Sequence, residues 1–400
     1  MDNVVKRDTF IRLRAGGNSP DAGGTVGGHR YPGGFPESRE HRIVERVGRV
    51  VKERVKLHSP LLGEKEAEYV AKCCRDGEVT HGPYVQRFED YIKAKVGVKY
   101  AIAVSSGTAA LHLALMAAGV GKGDRVVVPA FTFVATANAV SYCGATPEFV
   151  DCDEYGGLSA EKLDEWLKTH SVKAVIPVHI FGHCCDMDAL QAVCDKHGVL
   201  LIEDAAQALG SYYYNNHAGS FGIAAAFSFN GNKTITTGGG GAVVTNSRDV
   251  ADRVRLLANV AKEDVPHEYW HVEVGFNYRL PNIAAALGCA QFESLYDILN
   301  RKRYLAQKYR EAFEFSDEGQ IINQGPNRTS NNWLNALVTK DVDKRRLLVL
   351  LDEAGFESRL CWTPLHLMTM YKDNPRDDLT NTMRLASTIV NLPSGPGIVP

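Results

Sequence analysis

A chain of 400 residues exceeds what one small core accommodates, so one large domain with a smaller one attached is expected. Lysine and arginine number 45 against 47 aspartates and glutamates, a net charge of −2 that offers no basic field for nucleic acid. The longest mostly apolar run, 108–120, contains His112 and is too short to cross a bilayer, and residues 1–14 lack the apolar stretch of a signal peptide, so no membrane partner and a cytoplasmic location are expected.

In chain order, residues 15–36 are rich in Gly and Pro, and 39–56 set spaced Val and Ile among many charges, the pattern of a short amphipathic helix. Residues 1–56 together are read as a flexible N-terminal extension. Helical patterns follow at Glu64–Cys74 and Tyr84–Lys95. Short apolar runs then alternate with helices. The runs are Tyr100–Val104, Arg125–Pro129, Thr146–Val150, Ala174–Val178 and Val199–Ile202; the helices start at Gly107 and span Ala135–Tyr142, Ala160–Lys168 and Met187–His197. These runs are apolar on both faces, as a parallel sheet covered by helices requires. The predicted fold is α/β: a three-layer large domain with a mainly parallel sheet over 57–300, then a smaller C-terminal α+β domain over 301–400. A long helical stretch, Asn282–Glu314, joins them. The smaller domain is assigned a strand near Trp333–Val338 and helices near Lys344–Ala354 and Asn381–Ile389. The nine cysteines include no C-x-x-C pair, and their spacing suits no zinc site, so no metal is expected; the odd count predicts reduced thiols.

Ligands of a parallel sheet gather at the carboxyl ends of its strands, and three segments there carry chemistry. Ser105-Ser-Gly-Thr108 lies between a strand and a helix, where backbone N–H groups and hydroxyls suit a phosphate; a plain helix cap is the equal alternative. Glu203-Asp-Ala-Ala-Gln207 ends a buried strand. A carboxylate there needs a partner: a protonated ring nitrogen, or a nearby Arg or Lys. The third is Ala226-Phe-Ser-Phe-Asn-Gly-Asn-Lys233-Thr-Ile-Thr-Thr-Gly-Gly-Gly-Gly241, in which an apolar strand delivers one lysine into a loop of small residues. A lysine partly removed from water there has a lowered pKa and serves as a nucleophilic amine. Phosphate site, acid for a ring nitrogen and reactive lysine, in that order, are the parts a pyridoxal 5'-phosphate enzyme needs.

With these segments in view, the chain resembles the DegT/StrS family of pyridoxal-phosphate-dependent sugar aminotransferases over about residues 57–394. The likeness rests on Ser106-Gly-Thr-Ala-Ala-Leu111, Val128-Pro-Ala-Phe-Thr-Phe-Val-Ala-Thr136, Pro177-Val-His-Ile-Phe-Gly182, Glu203-Asp-Ala-Ala-Gln207, Ser228-Phe-Asn-Gly-Asn-Lys233 and Gly275-Phe-Asn-Tyr-Arg279. It implies a fold-type I transferase in which Lys233 carries the internal aldimine and shuttles a proton. Asp204 would hold the ring N–H, Gln207 the ring hydroxyl, and Phe133 would stack on the ring. Gly107, Thr108 and Ser228 would bind the phosphate, joined by Asn277 from the other subunit of a homodimer. Within the family, Asn230–Gly241 and Asn391-Leu-Pro-Ser-Gly395 look most like enzymes aminating UDP-linked 4-keto-6-deoxy-N-acetylhexosamines, of the bacillosamine and legionaminic acid pathways. Many relatives have Glu where this chain has Gly239, a departure that bears on the substrate subgroup. The expected reaction moves an amino group from L-glutamate to C4 of such a nucleotide sugar. The alternative acceptor is GDP-4-keto-6-deoxymannose, the perosamine-forming reaction.

Four histidines are candidates for the sugar or its diphosphate, His81, His179, His183 and His366, with His366 the best placed; Arg279 is a candidate for a phosphate or the donor carboxylate. For each histidine a packed or solvated side chain is the competing reading, and for Arg279 a structural ion pair. A keto-sugar dehydratase on this scaffold would have His in place of Lys233. A non-catalytic cofactor-binding regulator is the remaining rival, and intact Lys233, Asp204 and Gln207 weigh against it.

Overall fold

The computed structural model describes residues 38–399. From Arg39 onward the chain is one compact unit built around two main sheets. The larger sheet contains β1 (Tyr100–Val104), β2 (Arg125–Pro129), β3 (Thr146–Val150), β4 (Ala174–Val175) and β5 (Leu200–Asp204). A small ribbon, β6 (Tyr212–Tyr213) and β7 (Asn216–His217), precedes its last two strands, β8 (Ala224–Ser228) and β9 (Gly241–Thr245). The strand order is β1-β9-β8-β5-β4-β2-β3. All pairings among β3, β2, β4, β5 and β8 are parallel, and only β9 runs against its neighbours β8 and β1.

The mainly parallel sheet of the expected α/β class is therefore present, and the reason is in the strands: all but the first residue of β2 and of β3 are buried, so both faces need a cover. Helices supply it on the two sides, forming two apolar clusters. One includes Phe88, Val127, Leu201 and Phe227; the other includes Leu111, Val126, Ile202 and Val243. Successive residues of one strand, such as Val126 and Val127, fall in opposite clusters, as the pleat dictates.

The second sheet is antiparallel, with β10 (Gly319–Ile321), β12 (Asn335–Thr339), β13 (Arg359–Leu360) and β14 (Ile389–Leu392) in the order β10-β12-β14-β13; β11 (Arg328–Thr329) joins the β6–β7 ribbon. Three expectations change. The stretch Asn282–Glu314 is two helices, Asn282–Glu293 and Leu295–Phe313, broken at Ser294. The second helix runs across residue 300, the expected domain boundary. The flexible extension expected over 1–56 does not extend through its later part: Arg39–Val50 is a helix whose Ile43 and Val47 are fully buried. They pack with Leu305, Tyr309, Leu337, Leu347 and Val390, so this helix closes the core of the C-terminal part. Each such side chain contributes about 1.5–3 kcal/mol by leaving water. Residues 1–37 of that expected extension lie outside the described residues. No helix among the described residues is long and apolar enough to cross a membrane.

Candidate active site

β5 ends on Asp204, and β8 ends on Ser228, its parallel neighbour. The polar groups thus emerge together at one edge of the sheet. Asp204 is 5% exposed. One carboxylate oxygen accepts the Thr136 hydroxyl at 2.8 Å, the other the Ala206 N–H at 3.1 Å. Burial pushes its pKa up, opposed by these two donors and by Lys233. Asp204 makes no ion pair with an Arg or Lys among the described residues, so the competing reading of its sequence position is not realised. Its neighbour Glu203 is consumed structurally. It accepts the backbone N–H groups of Gly219, Phe221 and Gly222 at 2.7–2.8 Å and meets His179 Nε2 at 3.0 Å. The Cys185 N–H donates to His179 Nδ1, which fixes the proton on Nε2 and makes this histidine a brace.

Beyond Ser228 the chain turns through Asn230–Lys233, with the Lys233 N–H donating to the Asn230 carbonyl at 3.0 Å. The side chain of Lys233 returns into the protein. Its Nζ stands 4.0 Å from the centre of the Trp333 ring. Burial brings its pKa down to about 8, with the Asp204 carboxylate opposing the shift.

The helix Gly107–Ala117 is capped by Ser106, whose hydroxyl accepts the Ala109 N–H at 3.0 Å. The cap expected as an alternative is thus real, and it coexists with a second feature. A Cβ on Gly107 would lie 2.6 Å from Ser228 Cβ, so only glycine lets the helix start approach the end of β8 this closely. Thr108 and Ser228 are both half-buried beside this contact. The Ser105 N–H donates to the Tyr278 carbonyl at 2.7 Å, which brings the strand-like segment 277–279 alongside. Asn277 and Arg279 are exposed on it.

Phe133 follows β2 and is 51% exposed; its carbonyl accepts the N–H of Thr136, the residue that holds Asp204. Gln207 is buried, and its side-chain oxygen accepts the Phe181 N–H at 2.7 Å. This turn is tight: Phe181 and Gly182 both have positive φ, 58° and 91°, and a Cβ on Gly182 would land on Asn331 Oδ1.

The remaining candidates divide. His366 lies in the turn Leu365–Leu367, which the Leu365 N–H ties to the Ala130 carbonyl at 3.0 Å, next to the Phe133 loop; it is half-buried with Nδ1 unpaired, and burial lowers its pKa. His183 does not line an opening. It is 5% exposed against Phe181, and burial, then Arg328 and Arg310, hold its pKa near 3. His81 is exposed just ahead of the helix Pro83–Val96. Sequence reasoning assigned no role to Thr136, Trp333 or Asn331. Asn331 donates to the carbonyls of Gln207 and Leu209, both at 2.9 Å. Asp186 caps the helix Met187–His197, accepting the Ala189 N–H, as its sequence position indicates.

An exposed aromatic face, a buried acid with no Arg or Lys ion pair among the described residues, a lysine of lowered pKa and a glycine-gated helix start follow the carboxyl ends of β2, β5, β8 and β1. These residue types fit pyridoxal phosphate, whose ring, ring nitrogen, carbonyl carbon and phosphate call for such groups. The comparisons agree. Residues 60–400 match the model of the DegT/DnrJ/EryC1/StrS aminotransferase family. The chain is 37% identical to a GDP-perosamine synthase of Escherichia coli O157:H7 over 348 residues, 86% of this chain and 94% of that one. It is 38% identical to the putative pyridoxal phosphate-dependent aminotransferase EpsN of Bacillus subtilis strain 168, over 80% of this chain and 84% of that one. The structure of S. venezuelae DesV with a ketimine intermediate superposes with a TM-score of 0.78 at 32% identity, covering 84% of this chain and 90% of that one. The chain belongs to the DegT/DnrJ/EryC1/StrS aminotransferase family and is a pyridoxal-phosphate-dependent sugar-nucleotide aminotransferase of fold type I.

Proposed function

We propose that this enzyme moves an amino group from an amino acid, L-glutamate, to C4 of GDP-4-keto-6-deoxymannose. The observation that carries the choice of acceptor is the likeness to GDP-perosamine synthases. It runs over 86% of this chain in the proteins of both Escherichia coli O157:H7 and Caulobacter vibrioides, at 37% and 38% identity. This replaces the UDP-linked N-acetylhexosamine as the first choice. That acceptor remains the second reading, and it has one observation in its favour. Gly239 has nothing within 4 Å of where a Cβ would stand, so the loop after Lys233 leaves open space at the position where many relatives place Glu.

Each residue has a defined task in this reading. Bound in the site, pyridoxal phosphate supplies a carbonyl carbon that takes up the amine and an electron-poor ring. Asp204 keeps the ring nitrogen protonated. Phe133 covers one ring face, and the free –NH2 end of Gln207 donates to the ring hydroxyl. Gly107, Thr108 and Ser228 hold the phosphate, and Asn277, exposed on the single chain, reaches the phosphate in the partner subunit's site. At its Nζ, Lys233 takes a proton from Cα of the donor and later delivers one to C4 of the sugar. A pKa of about 8 suits both directions near neutral pH. His366 and Arg279 are the residues assigned to the sugar nucleotide. His81 and His183 are given no task in this reading.

The test is a panel of three acceptors with glutamate: the GDP sugar, a dTDP-linked 4-keto-6-deoxyglucose and UDP-2-acetamido-2,6-dideoxy-4-ketohexose. Release of 2-oxoglutarate and product mass are read. The GDP sugar should be aminated fastest. Preference for the UDP sugar overturns the choice of nucleotide and favours the second reading.

A further inference from the structure

Trp333 is 4% exposed and is fixed at every polar atom it has. Its backbone N–H donates to Asn331 Oδ1 at 2.9 Å, and its indole N–H donates to the Asn232 carbonyl at 2.6 Å, next to Lys233 in the chain. Its carbonyl accepts from Lys302 at 3.2 Å. Trp362 stacks on it with ring centres 6.2 Å apart. Lys302 is itself fully buried. Its ammonium also donates to the Ser394 carbonyl at 2.7 Å and to His58 Nε2 at 3.2 Å, so it ties three distant segments together behind the ring. A ring this constrained presents one chosen surface, and what meets it is the amine of Lys233 at 4.0 Å from the ring centre. The other groups facing that amine are the Asp204 carboxylate and His58, with Lys302 behind His58.

We propose that Trp333 is a positioning residue for Lys233: its ring seats the amine whenever Lys233 is not bonded to the cofactor. The proposal rests on the reading of Lys233 as the cofactor-bonding lysine. In an amino-transfer cycle that lysine is released while the amine travels with the cofactor. It must then stay within reach of the reacting carbon and keep a proton available. The face of an indole attracts an ammonium, most strongly where water is excluded. The ring thus offsets part of what burial does to the amine and holds it in one place. Lys302, through the Trp333 carbonyl, keeps the ring where the amine needs it.

The experiment titrates Lys233 itself in the cofactor-free protein, so it does not depend on cofactor binding. Protein labelled with ¹⁵N at lysine Nζ is followed by NMR against pH, and the Lys233 signal is assigned by its absence from Lys233→Ala. In Trp333→Leu the midpoint should fall by about one pH unit, because the protonated form loses its attractive partner. Uniform replacement of tryptophan by 5-fluorotryptophan keeps the shape of the ring but weakens its face. It should move the midpoint in the same direction by a smaller amount, and it serves also if the leucine variant does not fold. A purely packing role would lower the melting temperature of Trp333→Leu without a response to fluorine. An unchanged Lys233 midpoint in the fluorinated protein overturns the proposal. A missing cofactor adduct on Lys233 would instead overturn the reading beneath it.

Discussion

At the scale of single residues, the site pairs two groups that burial makes costly and the cofactor makes useful. Asp204 has its pKa raised by burial, with Thr136, the Ala206 N–H and Lys233 only partly opposing this. Stability from such a group is present below the unfolded pKa and is lost as pH rises through the folded one. At neutral pH the carboxylate is therefore a net cost to the cofactor-free fold. Asp204→Asn removes the charge but keeps one acceptor oxygen, so when that oxygen accepts the Thr136 hydroxyl the Ala206 N–H loses its partner, a cost that does not vary with pH. In the cofactor-free protein the melting difference between variant and wild type should therefore move in the variant's favour as pH rises from about 3 to 7, while turnover drops on the order of 10²-fold or more. A melting difference that does not move with pH, or normal turnover, contradicts the role assigned to Asp204. Lys233 and Asp204 were legible in the sequence because each is a polar residue delivered by an apolar strand. Thr136 and Trp333 were not, because what makes them matter is a partner 68 or 100 positions away in the chain. His183, offered by its motif as a substrate contact, is buried against Phe181, with Arg328 close enough to help lower its pKa.

At the scale of elements, the parallel strands were readable from apolar runs with little alternation, and β1, β2 and β3 have the expected bounds. β4 is shorter than the run Ala174–Val178; Val178 instead makes an isolated bridge to Asp204, where the chain leaves the sheet to build the site. The helix Arg248–Ala258 was passed over although Ser247 caps it and Asp249 sits in its first turn. The role of Arg39–Val50 was beyond local reading, since its charged sequence gives no hint that the partners of Ile43 lie past residue 300. Ile43→Ala should therefore cost about 2–5 kcal/mol of stability, measured by denaturant unfolding, with the activity of the folded enzyme preserved. A cost within about 0.5 kcal/mol, the surface range, would show that this helix is not part of the core.

At the scale of the whole molecule, one chain leaves the segment ahead of Asn277 uncovered. Tyr269 is 85% exposed and Val274 82%, with Trp270 at 58%. Apolar side chains this open suit an association surface, and the proposed homodimer has each Asn277 serve the partner's site. Two inactive variants, Lys233→Ala and Asn277→Asp, should then complement each other. After mixing and reassociation, about one quarter of wild-type activity returns, because half the dimers are mixed and each holds one intact site. No recovery from folded, dimeric variants contradicts the shared site. The central claim, that this fold exists to present one lysine to pyridoxal phosphate, is tested most directly by borohydride reduction of the cofactor-loaded enzyme followed by peptide mapping. Among the described residues burial lowers the pKa of three lysines: Lys233 to about 8, Lys302 to about 7, and Lys344. The account predicts the pyridoxyl adduct on Lys233 alone; an adduct on Lys302, or on any other lysine, would contradict it.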